Sequence, residues 1–271
     1  MDEKPDGSTD DATVRTERDG YVGIVTLNRP GSLNTFSTAL ATELDEALRS
    51  LDAQEAVRAI VVRGAGDAFS AGIDLTEYAD HDGDEQYERW VARMERPFTT
   101  LAEVSTPVVA AAHGHAVANG LGLVAACDLA VAAEGTRLGA TAPKVGLFCM
   151  GPAVPLMDAV TAKRCLELLL TGELIDAETA LEWGLLNRLA PQGEHVDVAM
   201  ELATTIASKS PTAVSMGKRA FYEMRGMGYA DAIDHSNRRF AELCTTADAR
   251  EGIAAFLEGD PLGPDEWPAG E

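Results

Sequence analysis

Lysine is scarce in this sequence: five of the 22 basic residues, set against 44 acids, for a net charge of −22. That balance excludes a nucleic-acid-binding face and a docking face for anionic membranes, since both partners repel it. Cysteine is scarce too. Cys127, Cys149, Cys165 and Cys244 lie far apart with no CxxC pair. This excludes a disulfide framework and a cysteine-ligated metal, and predicts four buried free thiols. No apolar run approaches the ~20 residues that span a bilayer. The opening segment MDEKPDGSTD lacks the apolar core of a secretory signal and the arginines of a transit peptide, so a cytoplasmic protein is expected.

What is present is ordinary globular material: 271 residues, 46% hydrophobic and 24% charged, enough for one large core. The acidity points to a salt-rich cytoplasm, where the Debye length falls to about 3 Å at 1 M salt and the self-repulsion is screened. An ordinary acidic protein is the alternative.

Residues 1–13 read as a disordered acidic tail. Residues 21–27 (YVGIVTL) form the first expected strand, and leucines at helical spacing from Thr38 predict a helix capped by Ser37. A buried strand is expected over 59–62, a polar loop over 80–84 and a helix over 87–104. Strands follow over 107–112 and 129–133, separated by a helical run ending at Cys127. Beyond Thr161 the pattern is helical, over 163–170, 177–183, 196–209, 212–224, 229–245 and 249–258, with Ser210 and Pro211 opening the fourth of these. Strand–loop–helix alternation predicts an α/β fold.

Two glycine-bearing turns carry the chemical interest: Ala68-Phe-Ser-Ala-Gly-Ile-Asp-Leu75 after a strand, and Ala116-Val-Ala-Asn-Gly-Leu-Gly122 between a strand and a helix. Backbone N–H groups freed at such turns suit a developing oxyanion, and two can converge on one oxygen. Tight turns without chemistry are the competing reading. Gly120-x-Gly-x-x-Ala125 also matches a dinucleotide fingerprint, but it sits mid-chain with no acidic residue closing a second strand, so a nicotinamide site is not expected.

Asn28-Arg-Pro-x-x-x-Asn34, the 68–74 turn, the 107–128 segment ending in Cys-Asp, Thr171-Gly with Ala180-x-x-x-Gly184-Leu, residues 203–211 and residues 250–257 together resemble the enoyl-CoA hydratase/isomerase (crotonase) superfamily in order and spacing. The Gly146–Cys149 run is most similar to its enoyl-CoA hydratase domain-containing branch. The resemblance covers residues 16–257. It implies a crotonase/ClpP-like spiral of ββα units over 14–205, and a C-terminal helical region over 206–271 that packs into trimers or hexamers. It also implies an acyl-CoA thioester as ligand, with coenzyme A part of the substrate and no separate cofactor or metal. Ala71, Ile73 and Leu75 match the positions that contact adenine and pantetheine. The amides of Ile73 and Asn119 match the oxyanion donors, Asn119 standing where the family usually has glycine.

The catalytic positions depart from that pattern. The family's two glutamates fall on Gly122 and Ala142, neither of which titrates. Ordinary hydratase activity is therefore expected to be weak or absent, since each acid–base group contributes about 10²–10⁴ in rate. A hydratase, isomerase or hydrolase acting through the oxyanion hole remains open, as does a non-catalytic acyl-CoA-binding or assembly protein. Among substitutes, His113 and His115 are expected on one face of a strand, with structural roles favoured over catalysis. Glu95, on the helix before Pro97, is likewise read as structural. Met150 cannot serve as an acid, Asp74 is expected to cap the following helix, and Gly259-Asp260 replace the basic residues that often contact phosphate.

Overall fold

The computed structural model describes residues 12–268. The chain opens with strands β1 (Val14–Asp19) and β2 (Val22–Leu27), then helix α1 (Thr38–Asp52), β3 (Ala59–Gly64) and α2 (Asp84–Glu103). Next come β4 (Val108–Ala112), β5 (His115–Val117), α3 (Asn119–Ala126), β6 (Leu129–Ala133), β7 (Arg137–Gly139) and α4 (Met150–Ala159). Helix α5 (Ala162–Thr171), β8 (Leu174–Asp176), α6 (Ala177–Glu182), β9 (Arg188–Ala190) and α7 (His195–Ala207) follow. The chain closes with α8 (Pro211–Met224), α9 (Tyr229–Cys244) and α10 (Ala247–Glu258).

Strands β2, β3, β4 and β6 are apolar and buried on both faces, as a covered parallel sheet requires. They form the centre of a six-stranded sheet in the order β1-β2-β3-β4-β6-β9, parallel except for the β1–β2 hairpin. A second layer holds β5-β7-β8, and single bridges between Phe36 and Ile73 and between Ser70 and Ala116 extend it. The expected spiral is therefore visible in its repeat. Each turn runs from a strand of the large sheet to a strand or bridge of the small layer and then into a helix, as in β4–β5–α3 and β6–β7–α4.

Two cores result. On one face of the large sheet α7 lays Ala199, Ala203 and Ala207, spaced by four, against Val22, Val61, Val109 and Val131. On the other face lie the leucines of α1 with Phe36, Phe69, Met94, Leu101 and Leu121. Ser37 caps α1 as expected, its Oγ accepting from Leu40 N at 3.1 Å. Helix α8 is pinned to the sheet by a partly buried ion pair: Lys218 Nζ donates to Asp128 Oδ2 at 2.6 Å and to the Thr106 carbonyl at 3.0 Å. Tyr222 donates to Asp128 Oδ1, and Val108 N donates to Asp128 Oδ2.

Several expectations need correction. Strand β1 precedes the expected first strand. All but one of its side chains are exposed, so no alternation announces it. It begins where the acidic tail was expected to end, and residues 1–11 of that tail lie outside the described residues. The strand expected to carry both histidines breaks at Gly114 (φ 58°), where a Cβ would strike the Asp67 carbonyl. His113 turns its Nε2 to the Gly66 carbonyl at 2.8 Å and stacks on His195, while His115 is exposed in β5, so they share no face. Cys127, Cys149 and Cys165 are buried thiols, but Cys244 is exposed. Among the described residues no helix is long and apolar enough to cross a membrane.

Candidate functional site

The two glycine-bearing turns are joined side by side. Ser70 N donates to the His115 carbonyl and Val117 N to the Ser70 carbonyl, both at 3.0 Å. Gly72 has φ 96°, and a Cβ there would lie 2.8 Å from Ala118 Cβ, so both its backbone angles and its surroundings require glycine. At Gly120 a Cβ would collide with the Ser70 carbonyl oxygen. Close approach of the turns thus depends on two glycines, and the residue after Gly72 is Ile73 while the residue before Gly120 is Asn119.

Both of those amides are unspent among the described residues. The Phe36–Ile73 bridge is made by Phe36 N donating to the Gly72 carbonyl (2.7 Å) and Asp74 N donating to the Phe36 carbonyl (2.8 Å), which turns Ile73 N the other way. Asn119 opens α3, where an amide has no helical acceptor. Ala118 before it holds φ 48°, a left-handed angle that a residue with a Cβ adopts at a cost of order 1–3 kcal/mol. The Asn119 side chain is buried too, its Nδ2 without a partner among the described residues. Side chains alternate along the first turn: Ala71 and Ile73 are half-buried and Leu75 is exposed, while Gly72 and Asp74 are buried.

The Asn28–Asn34 motif braces this turn. Asn34 Nδ2 donates to the Ala65 and Ala68 carbonyls, and its backbone carbonyl accepts from Ser70 Oγ at 2.8 Å. Arg29 pairs with Asp74 at 2.9 Å, and Asp74 caps the following 3-10 turn through Thr76 N. Burial opposes ionisation of Asp74, but the bonds from Thr76 and Arg29 outweigh it and hold the carboxyl below its usual range.

Gly122 lies one turn into α3, buried. A Cβ on it would stand 2.7 Å from Phe98 Cζ and 3.0 Å from Pro152 Cα, so the space beside it is filled from α2 and α4. Ala142 opens a 3-10 turn, its carbonyl accepting from Leu147 N at 3.1 Å and its N–H donating to the Cys149 sulfur. Burial pushes that thiol up, so it is not a thiolate.

The enoyl-CoA hydratase/isomerase family model matches residues 17–262, nearly the whole described chain. The chain belongs to this family. A putative enoyl-CoA hydratase of Thermus thermophilus is 40% identical over 250 residues, covering 92% of this chain and 98% of that protein. Human enoyl-CoA hydratase domain-containing protein 3, mitochondrial, is 34% identical, with 91% and 81% covered. Among solved structures, an enoyl-CoA hydratase of Mycobacterium smegmatis superposes with a TM-score of 0.89 at 36% identity, covering 92% of this chain and 98% of that one. The resemblance in sequence and the crotonase fold therefore both hold.

For a member of the hydratase/isomerase family, the unexpected group is Glu95. It sits on α2 one turn before Phe98, and its carboxylate accepts the Gly151 N–H in the first turn of α4. A Cβ on Gly151 would fall within that carboxylate. Burial pushes the Glu95 carboxyl above its ordinary value, and among the described residues no cation pairs with it. It lines a cleft of about 650 Å³ that runs between α2, α3 and α4 to Tyr222 on α8. The cleft's other acids are paired, Asp128 with Lys218 and Asp158 with Arg225. Sequence reading set Glu95 aside because nothing along α2 signals that Gly151 opens space for it.

Proposed function

We propose that the chain binds an acyl-CoA thioester, with the thioester oxygen between the amides of Ile73 and Asn119 and the pantetheine along Ala71, Ile73 and Leu75. The observation that carries this reading is the pair of unspent N–H groups on turns that two glycines hold in contact. Such preorganised donors contribute about 10²–10³ each where they meet developing negative charge. Coenzyme A enters as part of the substrate, with no separate cofactor.

Hydration of a conjugated double bond needs one group to activate water and another to protonate the α-carbon. Gly122 and Ala142 stand where the family places those glutamates, so hydration is weak or absent. The alternative is a non-catalytic acyl-CoA-binding or assembly protein, favoured by the filled space beside Gly122. An apolar face of Met150, Val154 and Met157, exposed in the single chain, supports assembly into a trimer or hexamer. A salt-rich cytoplasm suits the net charge of −22.

Calorimetry with acetyl-CoA in molar KCl tests binding, and a spectrophotometric crotonyl-CoA hydration assay tests turnover. Heat of binding with little or no hydration is expected. Absence of heat would leave a purely structural role, and turnover at the level of ordinary hydratases would refute the reading of Gly122 and Ala142.

A further inference from the structure

We propose that residues 260–267 form a strap that latches helices α8–α10 to the spiral core, and that this helical unit tilts on a pivot in α8 when the strap lets go. The inference is independent of the acyl-CoA reading. It begins from how little else holds the unit. Helix α9 has no buried residue, α8 has Ala220 alone and α10 has Asp248 alone. The inner anchor of α8 is one polar cluster, Lys218 and Tyr222 on Asp128, and the Arg225–Asp158 pair at its end is largely exposed. Open clefts flank that anchor. One of about 650 Å³ runs from Tyr222 towards α3 and α4. The other, of about 620 Å³, lies between the first turns of α8 and α10 and the approach to β3. A helix held at one polar cluster with space on both sides is free to tilt, one cleft widening as the other narrows.

The strap spans that freedom. After Glu258 the chain turns at Gly259 (φ 83°) and doubles back on α10. The Trp267 ring covers Gly252, where a Cβ would stand 3.0 Å from ring atom Cζ3. Trp267 Nε1 donates to the Ser208 carbonyl at 3.1 Å, in the joint between α7 and α8. On the core side the Tyr21 hydroxyl donates to Asp265, and Arg58 donates to the Pro264 carbonyl. The Arg58 guanidinium lies 3.9 Å from the Tyr21 ring centre, so the two core residues grip the strap together. Tyr21 stands in the β1–β2 turn and Arg58 just before β3, and Arg58 also lines the second cleft. The strap therefore ties α10 to the core at the edge of the space into which the unit would move. Residues 263–267 lie beyond the stretch matched by the family, so the latch belongs to this chain's own sequence. Hydrogen bonds at a wet surface each contribute little, so the latch is weak enough to open reversibly.

The competing role is a fixed tail that does no more than cover Gly252. Cys244, at the end of α9, is exposed while Cys127, Cys149 and Cys165 are buried, so a spin label on it reports the helical unit. A second label on Glu46→Cys, an exposed position of α1, reports the core. Pulsed electron resonance distances are taken on the full-length chain diluted into excess unlabelled chain, so that both labels of a pair sit in one protomer. The strap is released from its own side by Trp267→Ala and from the core side by Tyr21→Phe/Arg58→Gln. Either release is expected to raise a second distance population about tenfold, with helix content by circular dichroism unchanged. Identical distance distributions with and without the strap contacts would overturn the latch. So would a shift that Trp267→Ala produces and the core-side pair does not, since that effect would belong to the ring on α10. Loss of helix content on release would mean that the helices unfold rather than tilt, and would overturn the pivot.

Discussion

Gly122→Ala asks how firmly the seam is closed. Two effects oppose each other at that position. Alanine in place of glycine within a helix gains about 1 kcal/mol of propensity. Against this, the new Cβ would sit 2.7 Å from Phe98 Cζ and 3.0 Å from Pro152 Cα. The phenyl ring can turn, but the backbone atom is held by α4, and overpacking of this kind costs about 1–3 kcal/mol. Because the new Cβ meets two neighbours at once, the upper part of that range, about 2–3 kcal/mol, applies, and the net loss is about 1–2 kcal/mol. At about 2–4 °C per kcal/mol for a chain of this size, Tm falls by several degrees in a thermal melt. The longer side chain of Gly122→Glu meets the same wall. Gly122→Glu/Ala142→Glu is therefore expected to gain no crotonyl-CoA hydration, even though it puts carboxylates at both positions that the family resemblance assigns to glutamates. A Tm for Gly122→Ala equal to or above wild type would refute the steric reasoning. Recovery of hydration in the double variant would refute the conclusion that the seam excludes a glutamate there.

Three further outcomes follow from other sites. Burial and the neighbouring His113 pull His195 down to about 4, so its neutral form is favoured on folding. Stability is complete above the unfolded value of about 6.5 and falls as pH drops towards 4, by about 1–2 kcal/mol after solvent screening of a half-buried ring. His195→Gln should flatten that part of the urea-midpoint profile, and an unchanged difference between pH 7 and pH 4.5 would count against it. Lys218→Met takes the cation from partly buried Asp128 and should cost about 1.5–3 kcal/mol in urea unfolding; a loss below about 1 kcal/mol would mean the pair contributes only as a surface pair does. Raising KCl from low to molar concentration should raise Tm, because screening relieves the repulsion of 44 acids against 22 bases. Highest stability at low salt would refute the salt-rich setting.

The fold was legible wherever one segment carries its own physics. Strands buried on both faces announce themselves as apolar runs, and α1 announces itself by leucines at helical spacing behind a serine cap. Segments whose structure depends on others were not legible. Strand β1 is a polar ribbon held by pairing with β2 and by Glu43, which accepts from Thr13 N and Val14 N. Strands β5, β7, β8 and β9 span three residues each, too few for any period to show. Helix α4 hides behind Pro152 and Pro155. Pro152 falls in its first turn, where a missing N–H costs no helical bond, so the proline marks a beginning rather than a break.

The site divides along the same line. The two turns that carry Ile73 and Asn119 could be picked out from sequence because glycine-bearing turns betray a backbone that needs special angles or close approach. The physical reason for the pairing, Gly72 against Ala118 and Gly120 against Ser70, required the fold. Glu95 was set aside because a side chain's chemistry depends on what surrounds it, and its surroundings come from α4. By the resemblance to the family, Gly122 and Ala142 stand where two glutamates are expected. The structure adds that Phe98 and Pro152 fill the space beside Gly122, and that the Glu95 carboxylate occupies the place a side chain at Gly151 would take.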